Sequence, residues 1–455
     1  MADKLTEKLT EKRAIAVVGG GWAGCAAAVE LARNGHTVTL FEAARMLGGR
    51  ARRVDIEGKA LDNGQHIMLG AYRASLHLMR TVGIDPAAVL LRLPLQMRYP
   101  ADSGGMDFVV PRLPAPLHML VALWRASGLT QADKMALARF STTARWMDWQ
   151  LHTDCSVSEL LERFGQTERL TKLMWRPLCI AALNTPPQRA SAQVFFNVLR
   201  DSLGARRAAS DMLIPRVDLT ALLPQHAAVF VTRHGGAIRC GTSVKRVSRR
   251  GPHWQLELSG APNTAQESVA ASMQFDGVVI ATQPAHAAAL LADLIDTSAM
   301  ASFDYEPITT CYLQYASDVK LTQPFFALID DAESGVWGQF VFDRGQLDAA
   351  HAGLLAVVVS VSSAAIALSR EALTTAIAAQ LAQVLKMPEL ARPQWAKLIS
   401  EKRATFACTP GLERPRNDTG INGLALAGDY TAGRYPATLE AAVSSGVAAA
   451  QLMAA

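Results

Sequence analysis

The six cysteines of this 455-residue chain are scattered, and none forms a CxxC pair or stands at zinc-finger spacing. A structural zinc site and a dithiol redox motif are therefore excluded, and no metal is expected. The cysteines are expected to be small buried side chains in a reducing compartment. Uninterrupted apolar runs of roughly 18 residues are also missing, so no membrane-spanning helix is expected. The nearest stretch, Leu354–Ser369, is broken by serines and reads as a buried strand leading into a helix. The polar leader MADKLTEKLTEKR has no apolar core of the kind a secretory signal needs, which points to the cytoplasm. Charge is not concentrated either. Lys and Arg number 45 against 40 Asp and Glu, a net +5, with no basic tract interleaved with aromatics. Nucleic acid is not an expected partner. Half the residues are hydrophobic and 19% are charged, so the chain can build two or three cored domains.

What the chain does hold begins at Ala14. AIAVVGG is a short apolar run ending in glycine, WAGCAAAVELARNG is a helix of small residues closed by Gly35, and HTVTLFE is a second strand. This is a βαβ unit, with Gly19, Gly21 and Gly24 in GxGxxG order at the strand-to-helix turn. The first glycine permits the tight turn, the second the approach of a diphosphate, and the third close packing of helix on strand. Glu42 ends the second strand, where a carboxylate can accept hydrogen bonds from an adenosine ribose. The order strand, glycines, helix, strand, acid specifies a dinucleotide site but does not separate NAD from FAD. No second GxGxxG is present for a nicotinamide.

From Tyr72 to Gly204 the pattern is mostly helical, with Thr130/Asp133 and Ser156/Glu159 resembling capping boxes. Strand signals return from about Val229, in AVFVTRHGGAIRCGTSVKRV, and again between Ile308 and Val361. A long helix, SREALTTAIAAQLAQVL, a strand, LALAGD, and a last helix from about Thr438 close the chain. The nucleotide signals thus lie at the two ends. An α/β architecture is expected, in which a Rossmann-type domain (1–75, 225–300 and 400–455) is interleaved with an α+β substrate domain (76–224 and 301–399). The latter combines an antiparallel sheet with a helical part.

Two further motifs separate the nucleotides by resemblance. EAARMLGGRARR, with Gly48, Gly49 and Arg50, resembles the second signature of the FAD-dependent amine oxidase and phytoene desaturase superfamily. LALAGDYTAGRYPATLEAAVSSG resembles its C-terminal Gly-Asp motif. The resemblance implies non-covalent FAD, with Arg50 near the diphosphate, Asp429 on the ribityl chain, and Ala437 and Thr438 opening a helix toward the flavin pyrimidine edge. LDNGQHIMLGAY, LMWRPLCIAALNTPPQRASAQVFFNVLRDSL, MLIPRVDLTAL and WGQFVFDR narrow it further. Together they resemble the squalene-associated flavoenzymes of bacterial hopanoid biosynthesis, the hydroxysqualene dehydroxylases. The resemblance covers nearly the whole chain beyond the first dozen residues. It implies reductive removal of an allylic hydroxyl from a C30 isoprenoid, fed by NADPH or a separate electron donor.

That chemistry needs an acid near the hydroxyl and an apolar tunnel. His66 is the first candidate acid, Gln65 a candidate for orienting a hydroxyl, and Arg344 a weaker candidate beside Tyr72 and Tyr430. Asp62 is expected to brace their loop. RLPAPLHMLVALWRA (112–126), short, apolar and flanked by arginines, has the pattern of a segment lying in a membrane surface, here the inner face of the cytoplasmic membrane. The competing readings are a carotenoid-type desaturase, an amine oxidase, and a non-catalytic FAD-containing prenyl carrier.

Overall fold

A computed structural model of the chain describes residues 12–114, 117–204, 207–260 and 272–454. The strand Ala14–Val18 is fully apolar and pairs in parallel with Thr37–Glu42 on one side and Gly277–Ile280 on the other. Ala237–Cys240 and Leu424–Leu426 complete a five-stranded parallel sheet. In chain order the strands lie 3-2-1-4-5, the order of a Rossmann half extended by two strands. The first helix, Trp22–Arg33, and the last, Leu439–Ala454, pack closely because both are built from alanines and glycine. A Cβ on Gly446 would stand 2.1 Å from the carbonyl oxygen of Ala23. Gly35, at φ +89°, closes the first helix as expected.

A second sheet of five strands is antiparallel, ordered Phe325–Ala327, Phe340–Asp343, Leu354–Ser360, Tyr305–Gln314, Trp395–Phe406. Its side chains alternate between two environments, as period-two pleating requires. Cys311, Leu313, Val341 and Val357 pack on the helix Arg370–Leu385, through Leu373 and Ile377. Phe325, Phe340, Phe342 and Val358 face the opposite way. The strand Trp395–Phe406 runs across position 400, where a segment boundary was expected. The helical part stacks around Phe140, Trp175 and Phe196, with Phe140 and Trp175 centroids 4.4 Å apart.

Local expectations failed at three places. Residues 229–233, read as strand, lie in the helix Pro224–Arg233. Proline at the first turn and buried Ala227 and Val231, four residues apart, set helical rather than alternating burial. The region 72–204 also includes the strand Leu90–Leu93, whose partner Met212–Pro215 is remote in sequence, and Gln96–Arg98 and Asp107–Val109, which pair with each other. Thr130 and Asp133 form both arms of a capping box, but only Ser156 bonds at the second site, accepting from the Glu159 amide. Five cysteines are buried as expected, while Cys240 is exposed.

Candidate active site and cofactor groove

The turn after Ala14–Val18 is built as its glycines predict. Gly19 has φ +107°, and a Cβ there would stand 2.6 Å from the Ala281 carbonyl oxygen. A Cβ on Gly24 would stand 1.8 Å from the Gly19 carbonyl oxygen, so no side chain fits. Gly21 differs, because a Cβ there would meet only the Gly49 Cα, at 3.9 Å. Its backbone is bare toward open space, the condition for a diphosphate to approach. Glu42 is held at both oxygens, accepting from the Gly20 amide at 2.7 Å and the Ala44 amide at 2.8 Å.

The second Gly-Gly docks on the first, with the Gly48 amide donating to the Gly20 carbonyl at 2.8 Å. Arg50 follows at once. Its guanidinium donates to Asp429 at 2.6 Å, joining motifs 379 residues apart. Thr438 caps the last helix, its hydroxyl accepting from the Ala441 amide at 3.1 Å. Ala437 and Thr438 therefore place the positive end of a sixteen-residue helix on the same cavity.

Gly19, Gly21, Glu42, Gly48, Gly49, Arg50, Asp429, Ala437 and Thr438 line one continuous cavity of about 830 Å³, within the range of cofactor and small-molecule sites. Its lining includes Gly21, Glu42, Gly49, Arg50 and Asp429 from the nucleotide motifs, and apolar Leu178, Phe195, Leu199, Phe325, Phe340 and Phe342. Phe325 lies 5.8 Å from Phe340 and 5.3 Å from Phe342, centroid to centroid.

Gln65 and His66 stand on the cavity wall. Gln65 donates from Nε2 to the Tyr312 hydroxyl at 2.7 Å and accepts at Oε1 from Arg344 at 3.1 Å. Tyr312 in turn donates to the Asp62 carbonyl at 2.8 Å. Arg344 is 5% exposed and does not line the cavity, so it stands behind Gln65 rather than beside it. Asp62 braces the loop as expected, accepting from the Leu219 amide at 2.8 Å. Burial pushes its carboxyl up to about 6, against the pull of Arg344. The His66 Nδ1 lies 2.9 Å from the Gly64 carbonyl, and burial, with Arg50 adding to it, lowers the pKa of the ring from its ordinary 6.5. Tyr72 and Tyr430 also line the cavity.

Sequence reasoning passed over two contributors. Asn63, within the quoted DNGQH, donates to the Arg50 carbonyl at 3.0 Å and to Glu401 at 3.3 Å. Arg414 donates to the carbonyls of Asp429, Tyr430, Gly433 and Tyr435, and so clamps the loop that follows the Gly-Asp pair. No local pattern announces Arg414, because the loop's own folding creates its acceptors.

Two buried hydroxyls among the cavity-lining residues test the fit of a flavin dinucleotide. Thr282 Oγ1 and Tyr430 Oη have no hydrogen-bond partner among the described residues. Together with the bare Gly21 backbone and the helix end at Thr438, they leave unspent polar valences that a dinucleotide can take. The residues present fit the group. No cluster of three or more His, Cys, Asp or Glu side chains able to hold a metal occurs among the described residues.

A parallel sheet with a glycine turn, joined to an antiparallel sheet over a shared cavity, defines a nucleotide-dependent oxidoreductase. The chain belongs to the flavin containing amine oxidoreductase family, which it matches over residues 22–454. It is an FAD-dependent oxidoreductase. It is 29% identical to a hydroxysqualene dehydroxylase of Rhodopseudomonas palustris, over 97% of this chain and 98% of that protein. A zeta-carotene desaturase of Synechocystis sp. is 25% identical over 96% of each chain. Among solved structures, an oxidoreductase from Methanosarcina mazei superposes with a TM-score of 0.73 at 15% identity, over 96% of this chain and 99% of that one. Cyclohexylamine oxidase from Brevibacterium oxydans does so with 0.67 at 17%, over 97% and 99%.

Proposed function

We propose that the chain is a hydroxysqualene dehydroxylase, replacing the hydroxyl of hydroxysqualene by hydrogen to give squalene. The observation that carries this reading is the continuity of the cavity. The residues of the nucleotide motifs and a set of phenylalanine and leucine side chains line the same cavity, which suits a long isoprenoid chain held beside the cofactor. The full-length likeness to a hydroxysqualene dehydroxylase supports the substrate class.

The reaction balances as R–OH plus a hydride and a proton giving R–H and water. Two electrons enter per turnover, from NADPH or a separate electron-transfer protein. FAD, when bound, supplies the hydride. The residues assigned to hold it are Gly19, Gly21, Gly24, Glu42, Gly49, Arg50, Asp429, Ala437 and Thr438. They belong to a discontinuous cofactor domain drawn from segments near 1–75, 225–300 and 400–455. The rest of the chain, 76–224 and 301–399, supplies the apolar lining for the isoprenoid. His66, with Nδ1 turned to the Gly64 carbonyl, keeps Nε2 for a proton passed to the departing hydroxyl. Gln65 orients that hydroxyl, and Arg344 acts through Gln65. The apolar walls exclude water, which keeps the proton and the hydride for substrate.

Delivery of so apolar a substrate calls for a lipid surface. No helix among the described residues is long and apolar enough to cross a membrane. The helix Leu117–Arg125, however, turns Leu117, Leu120 and Trp124 to the outside, at 51%, 57% and 77% exposure. Positions i, i+3 and i+7 share a face, and exposed Arg125 ends it, the pattern of a helix lying in a bilayer surface. We assign this face to the membrane, on its cytoplasmic side.

The second reading, a carotenoid-type desaturase, is favoured by the likeness to zeta-carotene desaturase. Product analysis separates the two. Holoenzyme given hydroxysqualene and dithionite is expected to yield squalene. Absence of squalene, with oxidised holoenzyme desaturating phytoene or zeta-carotene instead, would overturn the dehydroxylase reading.

A further inference from the structure

Gln65 is held in a way its neighbours decide. Tyr312 spends its only hydroxyl proton on the Asp62 carbonyl, at 2.8 Å. Toward Gln65 it can therefore only accept, so the amide must present Nε2 to Tyr312. Arg344 has only donors, so the amide must present Oε1 to Arg344, as it does at 3.1 Å. Both neighbours exclude the flipped amide independently. A surface glutamine has no such constraint, since its terminal torsion is soft.

The clamp is itself anchored. Tyr312 is 1% exposed, Asp62 3% and Arg344 5%. Arg344 lies 3.7 Å from the Asp62 carboxylate, and Asp62 is tied to the Leu219 amide. Tyr312 and Arg344 come from the antiparallel sheet and its edge, whereas Gln65 belongs to the segment that follows the cofactor motifs. The two halves of the molecule meet at this amide.

Once Tyr312 and Arg344 are served, the amide keeps one N–H and one lone pair for the cavity it lines. The cation on Oε1 draws electron density from the amide, which strengthens the remaining N–H as a donor and weakens the lone pair as an acceptor. We propose that Tyr312 and Arg344 are positioning residues that lock Gln65 as a polarised N–H donor to the substrate oxygen, stabilising that oxygen as its bond to carbon breaks. This rests on the dehydroxylase reading. It adds to it the direction of the Gln65 amide and the two residues that set it.

A double-mutant cycle on the FAD-loaded protein tests it, with squalene formed from hydroxysqualene as the readout. Gln65→Leu is expected to lower kcat by tenfold or more, with FAD content and KM little changed. Tyr312→Phe removes one of the two anchors and leaves the amide pivoting on Arg344 alone, which should cost roughly tenfold in kcat. The double variant should be no slower than Gln65→Leu alone, because Tyr312 acts only through Gln65. A purely structural Tyr312 would give losses that multiply, and that result overturns the proposal, as does an unchanged kcat in Tyr312→Phe. Should Tyr312→Phe not retain FAD, Arg344→Lys runs the same cycle from the other end of the amide. If the wild-type protein forms no squalene, the dehydroxylase reading fails and this proposal falls with it. If the wild type forms squalene and the losses multiply, only the proposal fails.

Discussion

Two ionisable side chains near the cavity give pH dependences of the same sign in different properties, activity for one and stability for the other. His66 titrates below its ordinary 6.5, because burial and the Arg50 charge disfavour the imidazolium. If His66 passes the proton, only its protonated form acts. The kcat is then expected to rise as pH falls toward the lowered pKa, and His66→Gln should flatten that limb while leaving FAD bound. A profile that keeps its slope in His66→Gln would remove His66 from the role. Asp62 acts on stability instead. Its carboxyl titrates near 6 rather than 3.8, so the folded state binds more protons than the unfolded one between those values. Stability from this group is present below pH 4 and is lost as pH rises through 6. Between those limits Asp62→Asn should gain on the wild type by roughly 3 kcal/mol, at 1.36 kcal/mol per pH unit. Urea titrations at both pH values measure it, and a difference independent of pH would contradict the assignment. At this scale the sequence was informative where a residue sits in a local motif. Gly21, Arg50 and Asp429 could be read from their neighbours. Arg414 and Tyr312 could not, because their acceptors lie on segments that only the fold brings to them.

The helix beginning at Arg176 shows how one residue reshapes an element. In a regular α-helix the Leu173 carbonyl would accept from the amide of residue 177, but Pro177 has no N–H. The chain widens into a π-helical turn over Thr171–Trp175. The Tyr99 hydroxyl then donates to the Leu173 carbonyl at 2.8 Å. Arg176, next in line, pairs with Asp330 and ties this helix to the antiparallel sheet. Tyr99→Phe leaves a buried carbonyl without a partner. It should cost about 1–3 kcal/mol in urea unfolding, with FAD binding retained. No loss of stability would mean that the carbonyl finds another donor. Proline at 177 was legible as a helix disturbance, but its remedy, 74 residues away, was not. Likewise only residues 229–233 of the helix Pro224–Arg233 read as strand, since β-branched Val229, Val231 and Thr232 suit either element until tertiary burial selects one. The short strands between 90 and 109 are too brief to carry an alternating pattern, Leu90–Leu93 being fixed by the distant Met212–Pro215 and Gln96–Arg98 by Asp107–Val109.

On the scale of the molecule, the parallel sheet and the antiparallel sheet meet over one cavity, and the exposed apolar helix Leu117–Arg125 belongs to the helical part. The α/β architecture and the recurrence of cofactor motifs at both ends were legible because glycine turns and apolar strands are local signals. The strand Trp395–Phe406 was not legible, since its amphipathic pattern says nothing about which sheet it joins. If the Leu117 face meets lipid, the protein should float with liposomes. Leu120→Ser with Trp124→Ser should reduce that flotation several-fold without changing FAD content. Undiminished flotation would place the lipid contact elsewhere.

Electron flow is the central claim. The most direct measurement mixes photoreduced holoenzyme with hydroxysqualene in the absence of oxygen and follows the flavin absorbance. Reoxidation in step with substrate, one squalene per flavin, is the result the account predicts. A flavin that stays reduced with hydroxysqualene, while oxidised holoenzyme is reduced by phytoene or zeta-carotene, would contradict it.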